Sequence, residues 1–214
     1  MRKIVLTIIG LFVISAIASA QELKKDIFGI RAGLNLSHVT LSESAYGMSI
    51  NIETDSKASF HAGFSYQRLL IPTTPLYLET GFYFSQKGFK YSLASEDIDI
   101  TLNSTAMYLQ IPVLLNYHFA VANNIIIQPF AGLYLSYGIG GKTRMNLGNN
   151  KISENTFGDD GYIRIDAGIR LGVGATFDKI YLGIGYEPGL INISNESDIT
   201  AKNTNWAFTV GYNF

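Results

Sequence analysis

The sequence predicts an all-β protein, an eight-stranded antiparallel up-and-down transmembrane β-barrel. Three observations carry that prediction. Between Tyr162 and Phe177 every second residue (Ile163, Ile165, Ala167, Ile169, Leu171, Val173, Ala175, Phe177) is apolar, while the other face reads Tyr162, Arg164, Asp166, Gly168, Arg170, Gly172, Gly174, Thr176. A period of two is a strand, and at roughly 3.3 Å per residue this one is long enough to cross a bilayer at a tilt. The same alternation recurs along the chain, and the connections between its occurrences alternate between short and long. Short turns on one rim and long loops on the other are the habit of outer-membrane barrels.

Taken in order, the first segment is a targeting signal. Arg2 and Lys3 precede an apolar run from Ile4 to Ala18, too short for a spanning helix. The run ends in Ala18-Ser19-Ala20, the small-x-small pattern cleaved by signal peptidase, so the mature chain is expected to begin at Gln21. Residues 1–20 are thus read as a signal peptide and 21–214 as one barrel domain, without repeat, linker or peptidoglycan-binding module. The chain has no cysteine, which excludes a lipoprotein anchor and disulfide staples.

Eight strands follow. The first runs from Asp26 to Ser37, with Phe28, Ile30, Ala32, Leu34 and Leu36 on its apolar face. The second covers Ala58 to Leu70, the third Leu76 to Tyr91, the fourth Ser104 to Phe119 and the fifth Ile125 to Gly140. The sixth is the segment from Tyr162 to Phe177, the seventh spans Ile180 to Ile191, and the eighth Asn205 to Phe214. Turns are expected at Ile71 to Pro75, Ala120 to Asn124 and Asp178-Lys179, and long polar loops at residues 38–57, 92–103, 141–160 and 192–204. An even strand count puts both mature termini on the periplasmic rim and the loops outside.

Charged residues are only 15% of the chain and the formal net charge is −1, so no basic nucleic-acid surface is expected. A soluble barrel would also alternate, with its apolar face inward. Glycines on the polar face (Gly33, Gly63, Gly81, Gly168, Gly172, Gly174) suit a wall bent around a narrow lumen, and aromatics near strand ends on the other face suit interfacial girdles.

Four strings resemble a known family. YLETGFYFSQKGFK (Tyr77 to Lys90) resembles an "ELxYSQKG" segment, and YLQIPVLLNYHF (Tyr108 to Phe119) resembles "YLEIPVLLKY", with Gln110 and Asn116 where Glu and Lys are commoner. YEPGLINI (Tyr186 to Ile193) resembles "YxxGLxNI", and WAFTVGYNF resembles a C-terminal strand. Together they resemble the outer membrane β-barrel domain family of PorT-like and "porin family" proteins over residues 21–214. The resemblance implies that barrel-assembly machinery reads the terminal stripe Trp206, Phe208, Val210, Tyr212, Phe214. It also implies, through PorT alone, a role as an accessory factor for protein secretion.

Chemistry is sparse. Gly141-Lys142-Thr143 mimics the tail of a phosphate-binding loop, but Ser136 stands where its first glycine belongs and no helix follows. His38, His61 and His118 spread along the barrel rather than converge. Acidic loop residues Glu96, Asp97, Asp99 and Glu154, Asp159, Asp160 read as solvated charge, so neither cofactor nor metal is expected. By parity Arg31, Glu79, Lys87, Arg164, Asp166, Arg170 and Glu187 face a lumen that eight strands leave just wide enough for side chains, where buried charges must pair.

The expected protein is therefore a small non-enzymatic, monomeric barrel. Outer-membrane lipid surrounds it, and its loops serve envelope structure or a partner. A narrow solute channel, a secretion factor and an envelope enzyme are the rival readings. Register follows from the turn: if Asp178 and Lys179 are a two-residue turn, Phe177 faces Ile180 and Arg170 faces Glu187, both inward.

Overall fold

The computed structural model describes residues 23–45, 48–94, 99–147, 150–158, 161–196 and 199–214. The signal peptide and its cleavage site lie outside the described residues, as do Glu96, Asp97, Asp159 and Asp160. Eleven strands form one sheet: β1 (Asp26–Ala45), β2 (Met48–Glu53), β3 (Asp55–Ile71), β4 (Thr74–Ala94), β5 (Asp99–Tyr117), β6 (Phe119–Ala122), β7 (Ile125–Leu147), β8 (Asn150–Asn155), β9 (Ile165–Phe177), β10 (Ile180–Pro188) and β11 (Ile199–Asn213). Eight are staves, in the ring order β1-β3-β4-β5-β7-β9-β10-β11, and each is antiparallel to its neighbours. Pairing of β1 with β11, from Gly29 opposite Asn213 to Glu43 opposite Ile199, closes the ring. Closure leaves no sheet edge in the wall, which is the one way strands can sit in hydrocarbon.

The other three strands are extensions. β6 continues β5 past His118 in the same register against β7, while β2 folds back on the far end of β1 and β8 on the far end of β7. Much of what the sequence suggests as loop is thus ordered sheet. β1 runs to Ala45, β4 to Ala94 and β7 to Leu147, and β11 starts at Ile199. The reason is solvent: beyond the bilayer the outer face meets water and turns polar, while the inner face buries residues such as Val39 and Ala201, so backbone pairing continues although the apolar-out alternation that reveals it stops. Two strands are shorter than expected. β10 ends at Pro188 rather than Ile191, because the Leu190 and Ile191 amides both turn to the Ala167 carbonyl. β9 begins at Ile165, because Tyr162 turns aside to bridge Phe157 and Ser194.

The wall is inside out relative to a soluble protein. Phe64 is 69% exposed, Leu34 60% and Leu133 60%, and Phe28, Phe82, Val113, Leu182 and Val210 are also exposed. Buried instead are Arg31, Asn35, Gln67, Glu79, Lys87, Gln110, Asn116, Asp166, Arg170, Glu187 and Asn205. An apolar belt of this extent has no place in water, so the soluble-barrel alternative fails.

Two local breaks in the ladder are repaired by side chains. Pro112 cannot donate, and the β4–β5 pairing skips from Thr80 opposite Val113 to Tyr83 opposite Gln110. The Thr80 hydroxyl donates to the Pro112 carbonyl at 2.8 Å across the gap. Between Ser56 and His61 the β3–β4 register also breaks. There the Gly88 amide donates to Ser37 Oγ at 2.8 Å and Ser37 Oγ donates back to the Gly88 carbonyl at 2.9 Å, while Asn35 Nδ2 donates to the Gln86 carbonyl at 2.9 Å.

Glycines on the inner face have a reason beyond bending. A Cβ on Gly174 would stand 2.5 Å from the Tyr181 ring, one on Gly172 2.6 Å from Phe130 and one on Gly168 2.7 Å from Tyr134. Each glycine makes room for a ring laid across the lumen.

Because the staves are paired around the whole ring, the fold should survive detergent until heated. Unboiled protein is expected to migrate differently from boiled protein on a denaturing gel. Equal mobility, with helical circular dichroism, would contradict a closed barrel.

Candidate functional site

The lumen is the site. Asp178, with a φ of 53° that aspartate tolerates, and Lys179 make the two-residue turn between β9 and β10. From it Phe177 pairs with Ile180, Val173 with Ile184 and Leu171 with Tyr186. The next inward pair is Arg170 and Glu187, whose Nη1 and Oε1 atoms are 3.2 Å apart. From across the lumen Lys87 on β4 reaches the same group, with Nζ 3.5 Å from Asp166 Oδ2 and 3.5 Å from Glu187 Oε2. Two cations and two carboxylates thus form one neutral, buried cluster.

Neutral donors complete it, as burial of charge requires. Gln110 Nε2 and Asn205 Nδ2 donate to Glu187 at 3.0 and 2.9 Å, and Asn203 Nδ2 donates to Asp166 at 3.1 Å. The Tyr134 hydroxyl also faces Asp166, at 3.4 Å, and its ring lies 4.2 Å beneath Lys87 Nζ. The role of Tyr134 as a platform for Lys87 was not legible, because a cation over a ring leaves no spacing in the sequence.

Three of the seven charges expected in this network are not in it. Arg31 donates from Nη2 to Asn213 Oδ1 at 2.7 Å and stacks 4.0 Å over Tyr181. Glu79 is satisfied by amides, with Gln67 Nε2 at 2.8 Å and Asn116 Nδ2 at 2.7 Å. Arg164 precedes β9 and is exposed, donating to the Gly138 carbonyl at 2.8 Å. Parity holds only inside a strand, and Arg164 lies just outside one.

Both ends of the cluster are obstructed. On the loop side Phe157 packs edge-on against Tyr108, with centroids 5.5 Å apart, and Ile193 is fully buried with Val39, Phe89 and Ala201. Tyr162 packs against this cap, and burial pushes its phenol up to about 12. Sequence reasoning missed Phe157 and Ile193 because an apolar residue in a loop carries no period. At the level of Arg170 and Glu187 the free space is about 10 Å³, room for one water centre. On the turn side a vestibule of about 180 Å³ is lined by Tyr77, His118, Gln128 and Phe214 among others.

The three histidines stay apart. His61 Nδ1 lies 2.9 Å from Asn35 Oδ1 and its Nε2 3.1 Å from Thr209 Oγ1. A hydroxyl, a base and an orienting amide stand in line there, but the adjoining space is the 10 Å³ already described, far below what a substrate occupies. His118 stacks on Tyr77 with centroids 4.1 Å apart, and His38 lies opposite Thr204 on β11. Among the described residues no three His, Cys, Asp or Glu side chains are placed to hold a metal.

On β11, Trp206, Phe208 and Val210 are exposed along the outer wall, as is Phe214 just past its end, and Tyr212 is half-buried beside them. The stripe faces outward from the ring. With Phe28 accepting the Phe214 amide at 2.9 Å, it also reaches the closing seam.

The family model described as Outer membrane protein beta-barrel domain matches residues 19–195. The chain belongs to that family, and its location is the outer membrane. Among solved structures it is similar in fold to the outer membrane protein OprG from Pseudomonas aeruginosa, at 13% identity and a TM-score of 0.50, covering 92% of this chain and 99% of that one. Ail, the attachment invasion locus protein of Yersinia pestis, matches at 13% identity and a TM-score of 0.40, over 89% of this chain and 100% of that chain. Neisserial surface protein A matches at 16% and 0.42, over 87% and 97%. No curated protein matches the chain.

The cluster geometry ranks its members. Glu187→Ala leaves Lys87 with Asp166 alone and takes from Arg170 its ion-pair partner, and should cost about 3–5 kcal/mol. Arg170→Ala should cost less, since Lys87 still bridges both carboxylates. Urea unfolding in detergent measures both, and the double variant should lose less than the sum; strictly additive losses would mean that the two side chains do not meet.

Proposed function

We propose that this outer-membrane barrel is a non-conducting, non-enzymatic wall element that holds ordered hairpins above the outer surface for envelope structure or for a partner. The observation that carries the reading is the closed lumen: a neutral charge cluster with about 10 Å³ of free space, capped by Phe157 and Ile193. Solute passage needs a continuous wet path, and a polar lumen filled by its own side chains lacks one.

Sheet extensions above the belt favour display. β2 and β8 each pair along one edge among the described residues. A strand with an open edge outside the bilayer is the kind of surface to which an extended peptide adds. Short turns mark the opposite rim as periplasmic, so these edges face outward from the cell.

Planar bilayer recording tests this. Folded protein should give no current steps at either polarity, while Glu187→Ala with Phe157→Ala, which opens cluster and cap together, should leak. Discrete steps from the unaltered protein would replace the wall reading with a narrow channel.

A further inference from the structure

Cross-strand pairing assembles a second group of charges, on the outer face of the loop-side extensions. Lys90 on β4 lies opposite Asn103 on β5, and Asn103 lies opposite Arg144 on β7. One step toward the belt, Thr105 lies opposite Lys142. Directly opposed residues share a face, and the inward neighbours Ser104 and Thr143 bond to each other at 3.0 Å, so Lys90, Asn103, Thr105, Lys142 and Arg144 point outward. Lys90, Lys142 and Arg144 are exposed.

Lys57 enters the centre of this group. Its stem passes Gly88, where a side chain would stand 3.2 Å from Lys57 Cδ, and its Nζ donates to Asn103 Oδ1 at 2.5 Å, Thr105 Oγ1 at 2.5 Å and the Ser104 carbonyl at 3.0 Å. Four cations therefore gather around Asn103 and Thr105 of β5. Asp55, opposite Lys90, shares the face, yet no carboxylate lies within ion-pair distance of any of the four among the described residues. In a chain whose formal net charge is −1, such a concentration leaves mutual repulsion that a bound anion would relieve.

Height identifies the anion. Tyr137 and Ile139 are the last exposed apolar residues of β7 before Lys142. Lys142 lies three residue steps beyond Ile139, a rise of roughly 7 Å for a tilted strand, which is the depth of a headgroup layer above hydrocarbon. We propose that Lys57, Lys90, Lys142 and Arg144 form a binding site for the phosphate groups of a phosphorylated glycolipid in the outer leaflet. Arg144 supplies a fork for two phosphate oxygens, the lysines supply point charge, and the apolar wall below takes the acyl chains. This site is independent of the lumen and stands whether or not the barrel conducts.

The test uses the whole folded barrel in phosphatidylcholine vesicles doped with diphosphorylated lipid A, with dephosphorylated lipid A, or with phosphatidylglycerol. Retained lipid is measured by mass spectrometry, and unboiled gel mobility confirms folding. The diphosphorylated lipid should be retained preferentially, and Lys90→Gln with Arg144→Gln should weaken retention about thirtyfold, at roughly 1 kcal/mol for each cation removed. Lys202→Gln, on β11 across the barrel, should change nothing. Equal retention of phosphatidylglycerol or of the dephosphorylated lipid would overturn the site, as would an unchanged double variant. Displacement of the lipid by millimolar inorganic phosphate would overturn the assignment to a lipid and make it a free-anion site.

Discussion

Hydrocarbon cannot hydrogen-bond, and everything else in this molecule follows from that constraint. A strand in such a medium must be paired on both edges, so the sheet closes on itself through β1 and β11. Closure at eight staves fixes a lumen about as wide as two facing side chains, and the outer face, committed to lipid, forces the charges of the mid-wall into it. The charge cluster answers that confinement. Lys87, Arg170, Asp166 and Glu187 sum to zero, and amides from Gln110, Asn203 and Asn205 take up the remaining acceptors.

The lumen also shows how a narrow tube holds large rings. Tyr134, Tyr181 and Phe130 each lie over a glycine of a neighbouring or same strand, so the bulk of one residue is matched by the absence of another. Aromatic and glycine positions should therefore be read as pairs. Substituting one alone disturbs packing on both staves, by the ordinary cost of overfilling a close-packed interior, about 1–3 kcal/mol.

How far this was legible depends on which physical signal each element carries. Strand parity and the β9–β10 register were open to inspection because lipid on one side imposes a period of two, and a two-residue turn then fixes every opposition, including Arg170 with Glu187. The hairpin extensions were hidden, since water on the outer face erases the apolar-out alternation while leaving the hydrogen bonds. Arg164 was misplaced for a related reason: the period was carried past Ile165, where the chain leaves the wall. Arg31 and Glu79 were read inward correctly, but parity says nothing of azimuth around the ring, so their partners, Asn213 for one and Gln67 with Asn116 for the other, could not be inferred. Phe157 and Ile193 cap the barrel from segments without any period at all.

The seam between β1 and β11 bears on how the chain reaches this state. Its partners, Gly29 and Asn213 among them, stand at opposite ends of the described sequence, so the last contact to form is also the most distant in the chain. Loop-closure entropy for such a contact exceeds that of a hairpin by a few RT, and topology of this kind makes folding slow. Until that moment the growing sheet carries two bare edges, and neither the cluster nor its caps has a complete enclosure. The chain remains sticky until its ends meet, which is why an escort that covers both edges at once would have more effect on its yield than any improvement in the wall itself.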